Sequence, residues 1–475
     1  MNRRLIVMCA VIVLAMAIPA FAAVQNVKVS GDIDAYAIYR NNFNLGRKDN
    51  GMTGGVDKSN LFMSQIRLRV DADLTDNVST TVRLLNERDW DAENAATTDI
   101  DLDLAYVTLK EMLYSPLTVV IGRQPLRYGA GLIIGDPDTN RVSNTNADNV
   151  IFNQDLSIRK AFDAVKAILN YDPLTIDLFY SKIDENTKIG AGSLTTSNKD
   201  DVNLYGVDAS YKLGDKFDTV AEGYYIYKSD DSVKFPAAGA APERSDTILV
   251  PGARISTNPI KGLNVQIEQA WQLGNKVIST NYDRNREAMA TQLIASYVLP
   301  IDALEKYAPV IGAQFTRFSG DKNAAATGND DYKAWDPMYE DQGTGTIYNV
   351  LFQTTNTKVA NGNVSIKPIE DLSLKLNWTG IWLDQDLNID RWGNANANLY
   401  TLYQLNNGTY TPTMSAGKKF LGQEVDATLT YDYTEDVQLG LMGGAFAPGK
   451  AFAKPVNSDD SRVATQVIGS CKVTF

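Results

Sequence analysis

The chain contains no histidine. Without an imidazole it cannot build a Ser-His-Asp triad, the histidine-dependent chemistry of outer-membrane proteases and phospholipases, or most zinc sites. Paired carboxylates could still hydrolyse a glycoside, so this absence argues against an enzyme without closing every route. No enzymatic activity and no cofactor are expected. Cysteine is nearly missing as well, with only Cys9 and Cys471 in 475 residues. Cys9 lies in an N-terminal stretch that reads as a removable export signal, so the exported chain keeps a single thiol and forms no internal disulfide. Long apolar runs stop after residue 24, and nothing later approaches the ~18 to 20 residues of a transmembrane helix. If this chain lives in a membrane, it crosses as strands.

Basic charge is the minority sign, 45 Lys and Arg against 57 Asp and Glu. Residues 1–22, MNRRLIVMCAVIVLAMAIPAFA, hold Arg3 and Arg4, an apolar run from Leu5 to Ile18, and the small-residue end Ala20-Phe21-Ala22. This is the pattern of a cleaved signal peptide, with 23–475 as the mature domain; an uncleaved anchor is the competing reading. Cleavage takes two bases and no acid, leaving 45 − 2 = 43 bases and a net charge of 43 − 57 = −14. Nucleic acid is therefore excluded as an evident partner.

What is present is alternation. Val27, Val29, Ile33, Ala35, Ala37 and Tyr39 share a strand face opposite Lys28, Ser30, Asp32 and Asp34, and Ile66, Leu68 and Val70 oppose Gln65, Arg67, Arg69 and Asp71. Leu374, Leu376 and Trp378 oppose Lys375 and Asn377, and Val425, Ala427 and Leu429 oppose Glu424, Asp426 and Thr428. Such strands carry one apolar face and one charged face. Tight polar turns fall at 74–77, 171–174, 213–217, 258–262, 367–371 and 433–436, with slightly longer ones near 110–116 and 299–306. Between them lie long hydrophilic stretches near 41–60, 88–98, 124–158, 185–200, 229–245, 274–285, 320–345, 385–420 and 448–461.

Short and long connections alternate throughout. A soluble sandwich or solenoid has no reason to lengthen every second loop, whereas an outer-membrane barrel does, because its two rims face different compartments. The segments number roughly eighteen, an even count with both termini on the short-turn side. The fold expected is an all-β, transmembrane antiparallel barrel in the outer membrane of a Gram-negative-type bacterium. Its partners are outer-membrane lipid and a hydrophilic solute or polysaccharide; the sequence sets no oligomeric state. The final strand, with Val467, Gly469, Cys471, Val473 and Phe475 on one face, would close the barrel against Val27 to Tyr39 and put Cys471 against lipid. By resemblance, this terminal stripe is also the signal that the barrel assembly machinery reads.

Four stretches, in order, are VVIGRQPLRYGAGLIIGDPD (119–138), FDAVKAILNY (162–171), KAWDPMY (333–339) and FLGQEVDATLTYDYTEDVQLGLMGGAFAPG (420–449). Together they resemble the alginate export family of outer-membrane porins. The resemblance implies an eighteen-stranded barrel that conducts an anionic polysaccharide past inward arginines. It carries over Arg123 and Gln124 from GRQ, and Glu424 and Asp426 from GQEVD. Parity adds Arg67, Arg69 and Arg83 to the lumen, and Arg127 opens the long connection that follows. Asp101 and Asp103 place acids in the same lumen, so a polyanion would meet mixed charge. The arginines then either set ion selectivity or simply bridge to Asp71, Asp101, Asp103 or Glu424 across the wall.

The stretch 124–158 is expected to fold inward and narrow the pore. GAGLIIG (129–135) lacks dinucleotide-loop spacing and reads as flexible backbone at a strand end. GDPDTN sets Asp136, Asp138 and Asn140 at calcium-loop spacing but has Arg141 where glycine belongs. DYKAWDPMYED (331–341) reads as a self-packing loop, with sugar stacking the alternative. The functional expectation is a channel for hydrophilic solutes, anionic oligo- or polysaccharides among them; the alternative is an adhesin or structural barrel with an occluded lumen and the 385–420 loop as its binding surface.

Overall fold

The computed structural model describes residues 26–43, 45, 58–90, 100–137, 154–184, 201–231, 245–279, 282–322, 330–352, 354–385, 418–452 and 462–475. The export signal at 1–22 and most of the 385–420 loop lie outside them, as do Asp138, Asn140 and Arg141.

Alternation this regular can satisfy its backbone in lipid only by closing, and the chain does close. Strands β1 (Asn26–Asn41), β2 (Lys58–Thr75), β3 (Val78–Asp89), β4 (Asp101–Leu109), β5 (Leu117–Pro125) and β6 (Ala161–Asn170) run in sequence. They continue as β7 (Leu174–Asp184), β8 (Val202–Lys212), β9 (Val220–Asp230), β10 (Asp246–Ile260), β11 (Leu263–Ser279) and β12 (Tyr282–Val298). The circuit ends with β13 (Val310–Phe318), β14 (Thr357–Ile369), β15 (Leu372–Leu383), β16 (Phe420–Asp432), β17 (Val437–Pro448) and β18 (Ala464–Thr474). All eighteen form one sheet in which each strand pairs antiparallel with its sequence neighbours, and β1 pairs with both β2 and β18. No helix among the described residues is long and apolar enough to cross a membrane.

The seam is held by a reciprocal backbone pair. Gly31 N–H donates to Phe475 O and Phe475 N–H to Gly31 O, both at 2.9 Å. A Cβ on Gly31 would lie 2.5 Å from Arg67 O and 2.6 Å from the Phe475 ring, so only glycine lets the last residue lie flat on β1. Cys471 pairs in register with Ala35 and with Leu439, an exposed leucine of the outward stripe, and its thiol is free.

All eight short turns fall where the sequence places them. One long connection does not: 274–285 is mostly strand, because β11 and β12 run on as a tall hairpin to Ser279 and Tyr282.

Of three apolar clusters among the described residues, the smallest joins Ile38, Met63 and Ile468, and the two larger occupy different arcs of the long-loop half of the interior. One surrounds a single helical turn, α1 (Tyr348–Leu351), and packs Ile347, Tyr348, Leu351 and Phe352 against Ile381, Leu421 and Phe446 of the wall. The other packs Leu126, Leu132, Ile133, Ile134, Trp335, Met338 and Tyr339 against Phe162, Leu204, Val250, Ala270 and Ala290. The described parts of 124–158 thus fold inward as expected. The connection between β13 and β14 does so too, which the sequence reading did not foresee. GAGLIIG is not loose backbone: Leu132, Ile133 and Ile134 are buried, and Tyr128 N–H donates to Ile134 O while Tyr339 N–H donates to Ile133 O.

Candidate functional site: a lumen narrowed by inward segments

The inward segments are hung from the wall by carboxylates. On β16, Glu424 accepts the backbone N–H groups of Thr346, Ile347 and Tyr348 at 2.6, 2.8 and 2.6 Å, and Asp426 accepts the Thr346 hydroxyl at 2.9 Å. On β9 and β11, Glu222 accepts Gly129 N–H at 2.6 Å and Glu268 accepts Ala130 N–H at 3.2 Å. On β3, Glu87 accepts Ile158 N–H and the Ser157 hydroxyl at 3.0 and 2.8 Å. Each of these carboxyl groups accepts a backbone or hydroxyl donor of an inward segment and so ties that segment to the wall. Glycine at 129 permits the approach: its φ is +57°, and a Cβ there would lie 2.8 Å from the Glu268 carboxylate.

Where the segments meet, Asp341 receives Lys160 Nζ at 2.6 Å and is bonded by Arg127 as well. Burial opposes the Asp341 carboxylate, but the hydrogen bonds and charges of Lys160 and Arg127 outweigh it and hold its pKa below the ordinary value. Arg40 of β1 grips Asp155 through both terminal nitrogens at 3.0 and 2.7 Å and gives its Nε to Gln466 at 2.7 Å. Between these ties lies a cavity of about 270 Å³ bounded by the segments at 136, 155–160 and 340–349 and by Met442 and Gln466 of the wall.

The arginines expected in the lumen are there with one exception, and each is paired. Arg67 binds Asp32 at 2.6 Å, Arg69 binds Asp71 at 2.7 Å, and Arg83 binds Asp103 at 2.5 Å. Asp101 stands 3.7 Å from Arg159, and Lys472 lies 3.7 and 3.5 Å from Asp32 and Asp34.

Arg123 is the exception. It sits in register with Asp163, which lies between the buried Phe162 and Ala164 and on the face of the exposed Val165. Arg123 therefore points outward, 3.0 Å from Asp163. Its neighbour Gln124 is the inward residue, buried, with its amide donating to the carbonyls of Val120, Gly122 and Ala164. Glu424 and Asp426 face inward as expected, but they hold the 346–348 turn.

Arg40, Glu87, Asp155, Lys160, Glu222, Glu268 and Asp341 went unnoticed in the sequence. The signal available was a glutamate sharing the parity of buried neighbours, Glu222 with Tyr224 and Ile226 and Glu268 with Ala270 and Gln272.

The family model described as alginate export matches residues 32–466. The chain belongs to the alginate export family. It is an outer-membrane channel that passes hydrophilic solutes. Among solved structures, the Pseudomonas aeruginosa outer-membrane protein OpdK is 11% identical, covers 95% of this chain and 100% of its own, and superposes with a TM-score of 0.51. OpdO of the same organism is 11% identical over 96% and 98% of the two chains, at a TM-score of 0.53. OpdQ is 12% identical over 96% and 99%, at 0.50. At these identities the likeness is one of fold. No curated protein sequence matches the chain. Within the family's pattern, the GRQ arginine of this member is turned away from the lumen.

Proposed function

We propose that this family member is a narrow channel for small hydrophilic solutes, saccharides included, with little preference for anions. The observation that carries the reading is the pairing of the lumen cations. Arg40, Arg67, Arg69, Arg83, Arg127 and Lys160 each have a carboxylate partner. A cation already neutralised at ion-pair distance adds little field at the pore axis, since Coulomb attraction to the solute is offset by repulsion from the partner acid. In this reading Arg67, Arg69 and Arg83 stiffen the wall, as do Asp101 and Asp103. Gln124, Glu424 and Asp426 shape the constriction, and Arg127 ties its two segments together.

Export through the signal at 1–22 and recognition of β18 by the barrel assembly machinery belong to the same reading. It is supported by the lipid-facing stripe that ends in Phe475. Enzymatic activity plays no part in it.

Liposome swelling with neutral, uronic and amino sugars of equal size is the test. Neutral sugars should enter at least as fast as uronates. Uronates entering several-fold faster would overturn the reading in favour of an anion path.

A further inference from the structure

The outer face of the wall carries an unbalanced charge at the long-loop rim of β13 and β14. Arg317 shares its parity with the exposed Ile311 and Phe315, and Lys358 shares its parity with the exposed Val364. Both side chains therefore leave the barrel on its lipid side, in register with each other. They share one carboxylate: Asp384 accepts Arg317 Nε at 2.8 Å and Nη2 at 3.3 Å, and Lys358 Nζ stands 3.1 Å from it. The Asp384 side chain is 1% exposed, against 36% for Arg317 and 37% for Lys358, so the acid lies behind the cations. At Arg123 the arrangement is reversed: one outward cation meets one acid, and the acid is the more exposed partner. On β13 and β14 two cations meet one acid, and one positive charge is left over. Their donors are not used up either. A guanidinium has five N–H groups and an ammonium three; Asp384 engages two of the first and one of the second, and neither side chain has another partner among the described residues.

The surroundings place this charge at the headgroup level. Lys358 is in register with Trp382, whose ring packs on Phe420 at 5.5 Å between centroids, and Trp378 is exposed on the same face nearer the midplane. Aromatic rings of this kind mark the membrane interface on a barrel wall. Toward the midplane from Lys358, β14 presents only Ala360 and Gly362, with Ala313 beside them on β13, and a Cβ on Gly362 would meet nothing within 4 Å. On β15 the rings of Trp378 and Trp382 close over Gly380. A shallow furrow thus runs down β14 from the cations, between Phe315 and the two tryptophans.

We infer that this surface holds a lipid of the outer leaflet, with its phosphate on Arg317 and Lys358 and one acyl chain in the furrow. A phosphate monoanion matches the single charge left over, and the free guanidinium edge suits its oxygens. The furrow supplies shape without hydrophobic drive, because a chain in the leaflet is already out of water. Selection therefore falls on the phosphate: a neutral headgroup would leave the positive charge unmatched where the dielectric is below that of water.

The experiment is native mass spectrometry of the full refolded chain in detergent, with diphosphoryl lipid A, the same lipid stripped of its phosphates, and inorganic phosphate as probes. Diphosphoryl lipid A should bind about tenfold more tightly than the stripped lipid, and an equal concentration of inorganic phosphate should not displace it. Arg317→Gln with Lys358→Gln should abolish that preference, and Lys358→Arg should keep it. Gly362→Phe, which fills the furrow without touching the cations, should weaken both lipids several-fold and leave the preference in place. Equal binding of the two lipids, a preference that survives the double glutamine variant, unchanged binding in Gly362→Phe, or displacement by inorganic phosphate would overturn the site. The double variant strips Asp384 of both cations; if it does not fold, Lys358→Gln alone, which leaves Arg317 on Asp384, decides, and an undiminished preference there would overturn the site too.

Discussion

Removing the Glu424 carboxylate deprives three consecutive backbone N–H groups, at 346, 347 and 348, of their acceptor. A buried donor left without its acceptor costs ~1 to 3 kcal/mol, and the three share one acceptor, so Glu424→Ala should destabilise the barrel by about 3 kcal/mol. Glu424→Gln keeps one acceptor oxygen and should cost roughly half of that. Thermal melting in detergent reads the difference, and an unchanged melting temperature in Glu424→Ala would show that the turn is held by its apolar contacts alone.

Asp341 makes the corresponding pH prediction. Its pKa is depressed below 3.8 in the folded chain, so the stability it contributes is present above 3.8 and is lost as pH falls through the lower folded value. The tie to Lys160 and Arg127 should hold at neutral pH and dissolve only in strong acid. Asp341→Asn should loosen it at every pH, seen as increased current noise; noise that stays at the wild-type level at pH 7 would remove the tie from the account.

At this scale the sequence was half legible. Strand parity placed Arg67, Arg69, Arg83, Glu424 and Asp426 inward from the apolar residues beside them. Arg123 was assigned by resemblance to a motif, although Val119, Ile121 and Arg123 share one parity and that parity is the lipid side. Partners such as Asp32 for Arg67 depend on strand register, which local pattern does not fix.

Among the elements, β16 offers the cleanest contrast of faces. Val425 is 54% exposed and belongs to the lipid stripe with Leu429, whereas Thr428 lies between them in sequence on the lumen face. Val425→Arg or Leu429→Arg should cost ~2 to 4 kcal/mol near the midplane, and Thr428→Arg should be mild, as measured by reversible folding into lipid vesicles. Equal penalties on both faces would contradict the facing. At the seam, Gly31→Val should reduce the yield of barrel whose gel migration changes on boiling, because the side chain would meet Arg67 O and the Phe475 ring.

The strands and turns were readable because alternation and turn residues are local signals. The tall β11–β12 hairpin was not: its polar Asn275 and Lys276 look like loop, although on the long-loop rim a strand can stand above the lipid with charged residues on it. The inward packing of 330–352 was hidden for another reason. Trp335, Met338 and Tyr339 mark a buried surface, but nothing local says which wall receives them.

For the whole molecule, the account is a closed eighteen-stranded wall whose width is taken up by segments tied back to it, with Arg40, Arg67, Arg69, Arg83, Arg127 and Lys160 each held by a carboxylate. Neutralising Arg67, Arg69 and Arg83 together should shift reversal potentials toward cations and weaken the fold, because Asp32, Asp71 and Asp103 lose their partners. Replacing those three acids as well should restore both stability and near-neutral selectivity; anion flux that stays impaired in the sixfold variant would show that the arginines conduct. The most direct measurement of the central claim is single-channel conductance of the refolded chain in a planar bilayer, compared with a variant in which Glu424→Gln and Asp341→Asn release the inward segments. The account predicts a small, stable conductance for the wild type and larger, noisier steps for the variant. A bilayer that stays silent with both proteins would mean an occluded barrel and would contradict it.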